Sequence, residues 1–199
     1  MKAIRYLMIM TTHLLSVTLT FAVLPGAEDQ NQGPKVGDRI ESFQTLDDQG
    51  KNWRSADALR RNQYLVVYFY PAAMTGGCTK QACAFRDHKD ELKDLKAEVV
   101  GVSGDSVQNL QYFKNANQLN FPLLADPNGA IAKKFGVPLR DGGSITRTVD
   151  SQEVTLRRGV TTARWTFILN KKGKIVYKNS QVNAEMDSQE VIAFLQNPK

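Results

Sequence analysis

Along the chain, apolar positions fall into short blocks whose spacing alternates between continuous and helical. The strongest block is 64–70, YLVVYFY, an unbroken run of aliphatic, β-branched and aromatic residues. A run of that length with no polar face reads as a central strand buried on both sides. It stops at Pro71, which cannot continue a ladder. Beyond AAMTGG a helix is expected to open near Cys78, because Phe85, His88, Leu92 and Leu95 recur at helical spacing and share one face. Residues 99–102, VVGV, predict a second buried strand, and 106–119 returns to helical spacing through Val107, Leu110 and Phe113. A short strand at 121–124 and a short helix at 129–135, ended by Gly136, come next. Residues 164–169 and 174–178 predict two strands joined by the turn NKKG. Asp187 and Glu190 resemble a capping box for a last helix burying Val191, Ile192 and Leu195. Upstream of the first block, Phe43, Leu46 and the turn DDQG predict a short hairpin. The polar segment 138–158, with Asp141-Gly142-Gly143, reads as a long surface loop. Strands alternating with helices, then a closing hairpin and helix, predict an α/β domain of three layers.

At 199 residues, 42% apolar and 23% charged, the chain holds one ordinary domain. Its first 27 residues contain no acid. Lys2 and Arg5 precede 6–24, which carry no charge, and Pro25-Gly26-Ala27 follow. That layout predicts a secretory signal over 1–27, with Ala22 or Ala27 at the cut. The rival reading is an uncleaved membrane anchor, since a span needs about 20 apolar residues. Thr, Ser and His dilute the stretch and favour the signal. A polar linker, 28–35, then leads to a domain at 36–199, placed outside the cytoplasm. The formal charge of +6 does not point to nucleic acid. Basic residues are interleaved with acids, as in RDHKDELKDLK at 86–96, the pattern of a solvated helix face.

Two cysteines remain, Cys78 and Cys83, and an oxidising compartment favours pairing them. Cys78 follows a strand, a proline and a small-residue loop, at the start of a helix. First-turn amides there are unpaired donors, and the helix dipole adds roughly half a positive charge, so thiolate is favoured over thiol. Gly76 and Gly77 let backbone approach a small ligand, and the Thr75 hydroxyl can bond an oxygen. On an intact helix, Cα atoms five residues apart lie roughly 8–9 Å from each other. A disulfide needs less than about 7 Å. The pair is thus a poor static staple and a better redox switch.

The pattern P-x-x-x-T-x-x-C with a second cysteine five positions on resembles the peroxiredoxins. FYPAAMTGGCTKQACAFRD at 69–87 resembles, more narrowly, their bacterioferritin comigratory protein (PrxQ-type) branch. The likeness continues through VVGVSGDS, FPLLADPNG, FGV and RWTFILNKKGKIV, covering roughly 34–197. It implies a thioredoxin-like fold with a central mixed sheet and an N-terminal hairpin. It implies that Cys78 is the peroxidatic and Cys83 the resolving cysteine, and that Thr75 and Pro71 shape the peroxide pocket. Arg164 matches the arginine that stabilises the thiolate and polarises the peroxide O–O bond. The implied reaction reduces hydrogen peroxide and organic hydroperoxides, with no cofactor and no metal. A thioredoxin-like or other dithiol recycles the enzyme, and the branch implies a monomer. Gly76 departs from the branch, which often has proline there, and 138–158 is longer than usual.

The bland readings are a static export disulfide for the cysteines, a strand-edge charge for Arg164 and a helix-start residue for Thr75. His88 reads as a packed core-rim histidine. With His13 in the signal, no zinc ligand set is available. The competing activity on the same fold is a thiol–disulfide oxidoreductase acting on envelope proteins; the absence of C-x-x-C weighs against it.

Overall fold

A computed structural model describes residues 33–149 and 151–198. The segment read as a signal, and most of the linker after it, lie outside the described residues.

The run at 64–70 becomes β3 (Tyr64–Phe69), the middle of a five-stranded sheet ordered β5-β4-β3-β8-β9. Here β4 is Ala97–Ser103, β5 Leu123–Ala125, β8 Trp165–Asn170 and β9 Ile175–Asn179. The β3–β4 and β4–β5 pairs are parallel, while β3–β8 and β8–β9 are antiparallel, so the sheet is mixed. Alternation along β3 divides the core. Val66, Tyr68 and Tyr70 face one way, against Phe85, Leu110, Phe113, Val191 and Leu195. Leu65, Val67 and Phe69 face the other, against Ala58, Ile131 and Phe135. The first layer is built by α2 (Gly76–Asp87), α3 (Lys89–Asp94), α4 (Val107–Asn117) and α6 (Asp187–Gln196). The second is built by α1 (Ser55–Arg61) and α5 (Ala130–Lys134). This is the three-layer thioredoxin-like fold that the sequence implied.

A short hairpin of β1 (Gln44–Leu46) and β2 (Asn52–Arg54) stands where DDQG predicted it. Gly101 lies under the Tyr68 ring: a Cβ there would sit 2.6 Å from the phenol oxygen, so glycine is what lets that ring pack on β4.

Three expectations need correction. Residues 138–158 are not a loop. They form most of an antiparallel ribbon, β6 (Leu139–Val149) with β7 (Gln152–Thr162), whose first strand is mostly exposed. β6 buries neither face and so shows no period-2 alternation, while β7 does alternate through Val154, Leu156 and Val160, a pattern the loop reading passed over. Secondly, the helix after Cys78 is two helices, because the chain breaks at His88 between α2 and α3. Thirdly, Asp187 makes no cap; Met186 occupies that position and the Asp187 carboxylate turns into the core.

Candidate active site

The end of β3 delivers the chain to Pro71, and 71–75 cross to the start of α2. Two interactions shape this crossing. Asp105, buried just after β4, accepts from the Ala73 amide at 2.8 Å and from Ser103 Oγ at 2.9 Å. Its other oxygen accepts from Asn109 Nδ2 at 3.1 Å. From the far side, Arg147 on the β6–β7 ribbon donates to the Met74 carbonyl at 2.9 Å. Met74 has a φ of 61°, a backbone region that disfavours side chains. The loop is therefore held from both sides in a shape it would not adopt alone.

Thr75 is the N-cap of α2 in extended backbone, yet its hydroxyl donates to the Ala72 carbonyl at 2.9 Å instead of capping the helix. The first helical bond of α2 is from the Thr79 amide to the Thr75 carbonyl, at 2.8 Å. The amides of Gly76, Gly77 and Cys78 precede that bond, and so are the donors a helix start leaves for a ligand oxygen. Cys78 is only 2% exposed. Arg164, in the link between β7 and β8, donates from Nη2 to the Cys78 sulfur at 3.3 Å. A Cβ at Gly77 would stand 3.4 Å from that same Nη2, so glycine leaves the guanidinium its place. The guanidinium and the free amides at the helix start are thus donors converging on the sulfur and on the space beside it. Pro71 and Arg164 share a cavity of about 350 Å³ with Pro138, Arg140, Thr161 and Thr162.

Cys83 lies further along α2, half-buried against the same core cluster, and both cysteines are free thiols. The structure thus gathers Cys78, Arg164, Thr75 and Pro71 at one end of the sheet, and sets Cys83 five residues along an intact helix. His88 is half-buried, with Nδ1 against the Ala84 carbonyl at 2.9 Å, the core-rim position expected of it.

Sequence reasoning missed the supports. Gln81 accepts from Arg164 Nη1 on its carbonyl oxygen and donates from Nε2 to Asp187 at 2.6 Å. Asp187 also accepts from Thr166 Oγ1 at 2.8 Å. Burial pushes its carboxyl up to about 6, against the hydrogen bonds from Gln81 and Thr166. The signal for Gln81 was present, since it stands one helical turn beyond Cys78 and so on its face. Nothing local in the sequence distinguished Asp187 from a helix cap.

A buried cysteine polarised by an arginine, at a helix start over a thioredoxin-like sheet, defines a thiol-based redox enzyme. The AhpC/TSA family matches residues 36–178. Peroxiredoxin Q of Populus jackii chloroplasts is 36% identical over 163 residues, which are 81% of this chain and 68% of that one. The crystal structure of peroxidoxin BcpB from Mycobacterium tuberculosis superposes with a TM-score of 0.69 at 31% identity. That superposition covers 83% of this chain and 98% of the other. The bacterioferritin comigratory protein of Xanthomonas campestris, described for its alkyl peroxide reduction, gives 0.62 at 25% identity, over 77% and 90% of the two chains. The chain belongs to the AhpC/TSA family and is a peroxiredoxin, a thiol-dependent peroxidase. This family membership favours the peroxidase over the protein oxidoreductase entertained from the sequence.

Proposed function

We propose that Cys78 is the peroxidatic cysteine of an exported peroxidase for hydrogen peroxide and organic hydroperoxides, with Cys83 as its resolving partner. The observation that carries the reading is the Arg164 guanidinium 3.3 Å from the buried Cys78 sulfur. The thiolate attacks one peroxide oxygen, the O–O bond breaks, and the leaving oxygen takes a proton to become water or alcohol. Cys78 is left as a sulfenic acid. The Cys83 thiol then condenses with it, releasing water and forming a disulfide, which an external dithiol of the thioredoxin kind reduces. Amides at the α2 start and the Arg164 cation stabilise the negative charge that develops on the leaving oxygen. Pro71 and Thr75 shape the pocket wall. The organic substrates follow the alkyl peroxide reduction described for the Xanthomonas campestris relative. The uncharged segment behind Lys2 and Arg5 supports export, and the PrxQ branch supports a monomer.

The test is peroxide consumption by purified protein with dithiothreitol, using hydrogen peroxide and an alkyl hydroperoxide. Cys78→Ser should abolish it. Cys83→Ser should keep the first turnover and then stall at sulfenic acid, open to over-oxidation. Arg164→Ala should slow the attack on peroxide. A Cys78→Ser protein as fast as wild type would end the reading.

A further inference from the structure

Four side chains run in one line from the helix-α6 start to the reactive sulfur. The Asp187 carboxylate receives Gln81 Nε2, the Gln81 carbonyl receives Arg164 Nη1, and Arg164 Nη2 reaches Cys78. Gln81 and Asp187 are fully buried. Arg164 carries only donors, and an ionised carboxylate carries only acceptors. Between them the Gln81 amide has one permitted orientation. Flipped, it would set NH₂ against guanidinium and carbonyl against carboxylate, two repulsions in a dry interior.

We propose that Asp187 is a positioning residue for Cys78: its carboxylate locks the Gln81 amide, and Gln81 thereby holds the Arg164 guanidinium against the sulfur. The inference rests on the reading of Cys78 as the peroxidatic cysteine. A neutral Asp187 has both a donor and an acceptor and accepts either Gln81 orientation, so one of the two constraints on the amide is lost and the lock weakens. The carboxyl sits where it can change state within an ordinary pH range, because burial pushes it up to about 6. The groups facing it are few. Glu190 lies on its own helix and Arg164 leads into β8. Tyr68 on β3 and Tyr177 on β9 are both pushed above the ordinary phenol range by burial. His88, after α2, bonds the neighbouring Ser188 at 3.0 Å, and the Lys80–Glu185 ion pair lies outside on the surface. Among the described residues, Arg164 is the cation among the groups acting on the carboxyl.

Asp187→Asn imitates the neutral acid, since asparagine also offers donor and acceptor. Charge alone would make this variant faster, because a negative charge near the sulfur disfavours thiolate. Loss of the lock makes it slower, so the two causes differ in sign. The reduced protein would be followed with hydrogen peroxide in stopped flow and by nuclear magnetic resonance of the Gln81 side-chain amide. At about pH 8, where an ordinary carboxyl is ionised, Asp187→Asn should react about five- to tenfold more slowly, the scale of a small misplacement of a catalytic group. Wild-type rate should fall towards the variant's as pH drops through about 6, and the Gln81 amide signals should titrate with the same midpoint. The variant should show neither change. In Gln81→Leu, which cuts the line in its middle and serves if Asp187→Asn fails to fold, adding Asp187→Asn should cost nothing more. Losses that add, a faster Asp187→Asn, or Gln81 signals blind to pH would overturn the positioning role while the peroxidase stands. A wild-type protein inert to peroxide but with titrating Gln81 signals would support the lock and sink the peroxidase reading.

Discussion

At the scale of single residues, the side chains proposed to meet substrate and those that hold them in place differ in how they announce themselves. Cys78, Thr75 and Pro71 sit within eight consecutive positions, and Arg164 lies in a short strand motif, so spacing exposed them. Asp105, Gln81 and Asp187 act across the fold, reaching Ala73, Arg164 and Thr166, from positions that look like ordinary loop or helix residues. Only the tertiary structure brings them to the site. Asp187 carries a consequence for stability. Its carboxyl rises from 3.8 to about 6 on folding, so it favours the folded state below the unfolded value and loses that contribution as pH rises through about 6. A shift of some two units corresponds to about 3 kcal/mol. Against Asp187→Asn, which cannot titrate there, the wild-type unfolding free energy should therefore fall by up to about 3 kcal/mol between pH 4 and 7. Other carboxylates cancel in the comparison. Denaturant unfolding at a series of pH values would show it, and parallel curves would refute it. At neutral pH the protein bears a charge that weakens it, as expected of a group kept for function.

Elements show what local pattern can and cannot encode. β3, β4, α4 and α6 were legible because each buries a face or both. In the ribbon β6–β7, β6 was not, since nothing alternates in a strand wet on both sides; β7 does alternate, through Val154, Leu156 and Val160, but inside a polar stretch; and α1 is too short to stand out. Its tether from Arg147 to the Met74 carbonyl makes the ribbon part of the active-site loop's support. For α2, the structure keeps Gly76–Asp87 helical with both thiols free. Cα atoms five residues apart on a helix are roughly 8–9 Å apart, beyond disulfide reach. In the proposed cycle, at least the first turn must open before Cys83 meets the Cys78 sulfenic acid. Such opening is inexpensive, because helix ends lie at the low end of local stability. After stoichiometric peroxide, amides from Thr79 to Phe85 should exchange faster with solvent while those of β3 stay protected. In Cys83→Ser they should not change. Equal exchange in reduced and oxidised wild-type protein would rule the opening out.

For the whole molecule, the order of strands and helices was enough to predict three layers, because buried runs fix the middle of a sheet and amphipathic spacing fixes what covers it. The mixed sheet came from resemblance to a family, and the pattern alone did not yield the pairing order β5-β4-β3-β8-β9. Among the described residues, the two core clusters draw their buried members from Ile40 to Leu195. If 1–27 is the signal that the uncharged stretch behind Lys2 and Arg5 predicts, a protein beginning at Glu28 should unfold within about 2 °C of the full-length chain, less than 1 kcal/mol displaces in a domain of this size. It should also consume peroxide at the same rate per molecule. Calorimetry and peroxide kinetics on the two proteins, purified side by side, make the comparison. A shortened protein that melts several degrees lower would show that the N-terminal stretch belongs to the folded body and is not simply its leader. Export is tested separately: mass spectrometry of protein from the native host should find the N-terminus between residues 23 and 28, and intact Met1 in soluble cytoplasm would remove the signal reading.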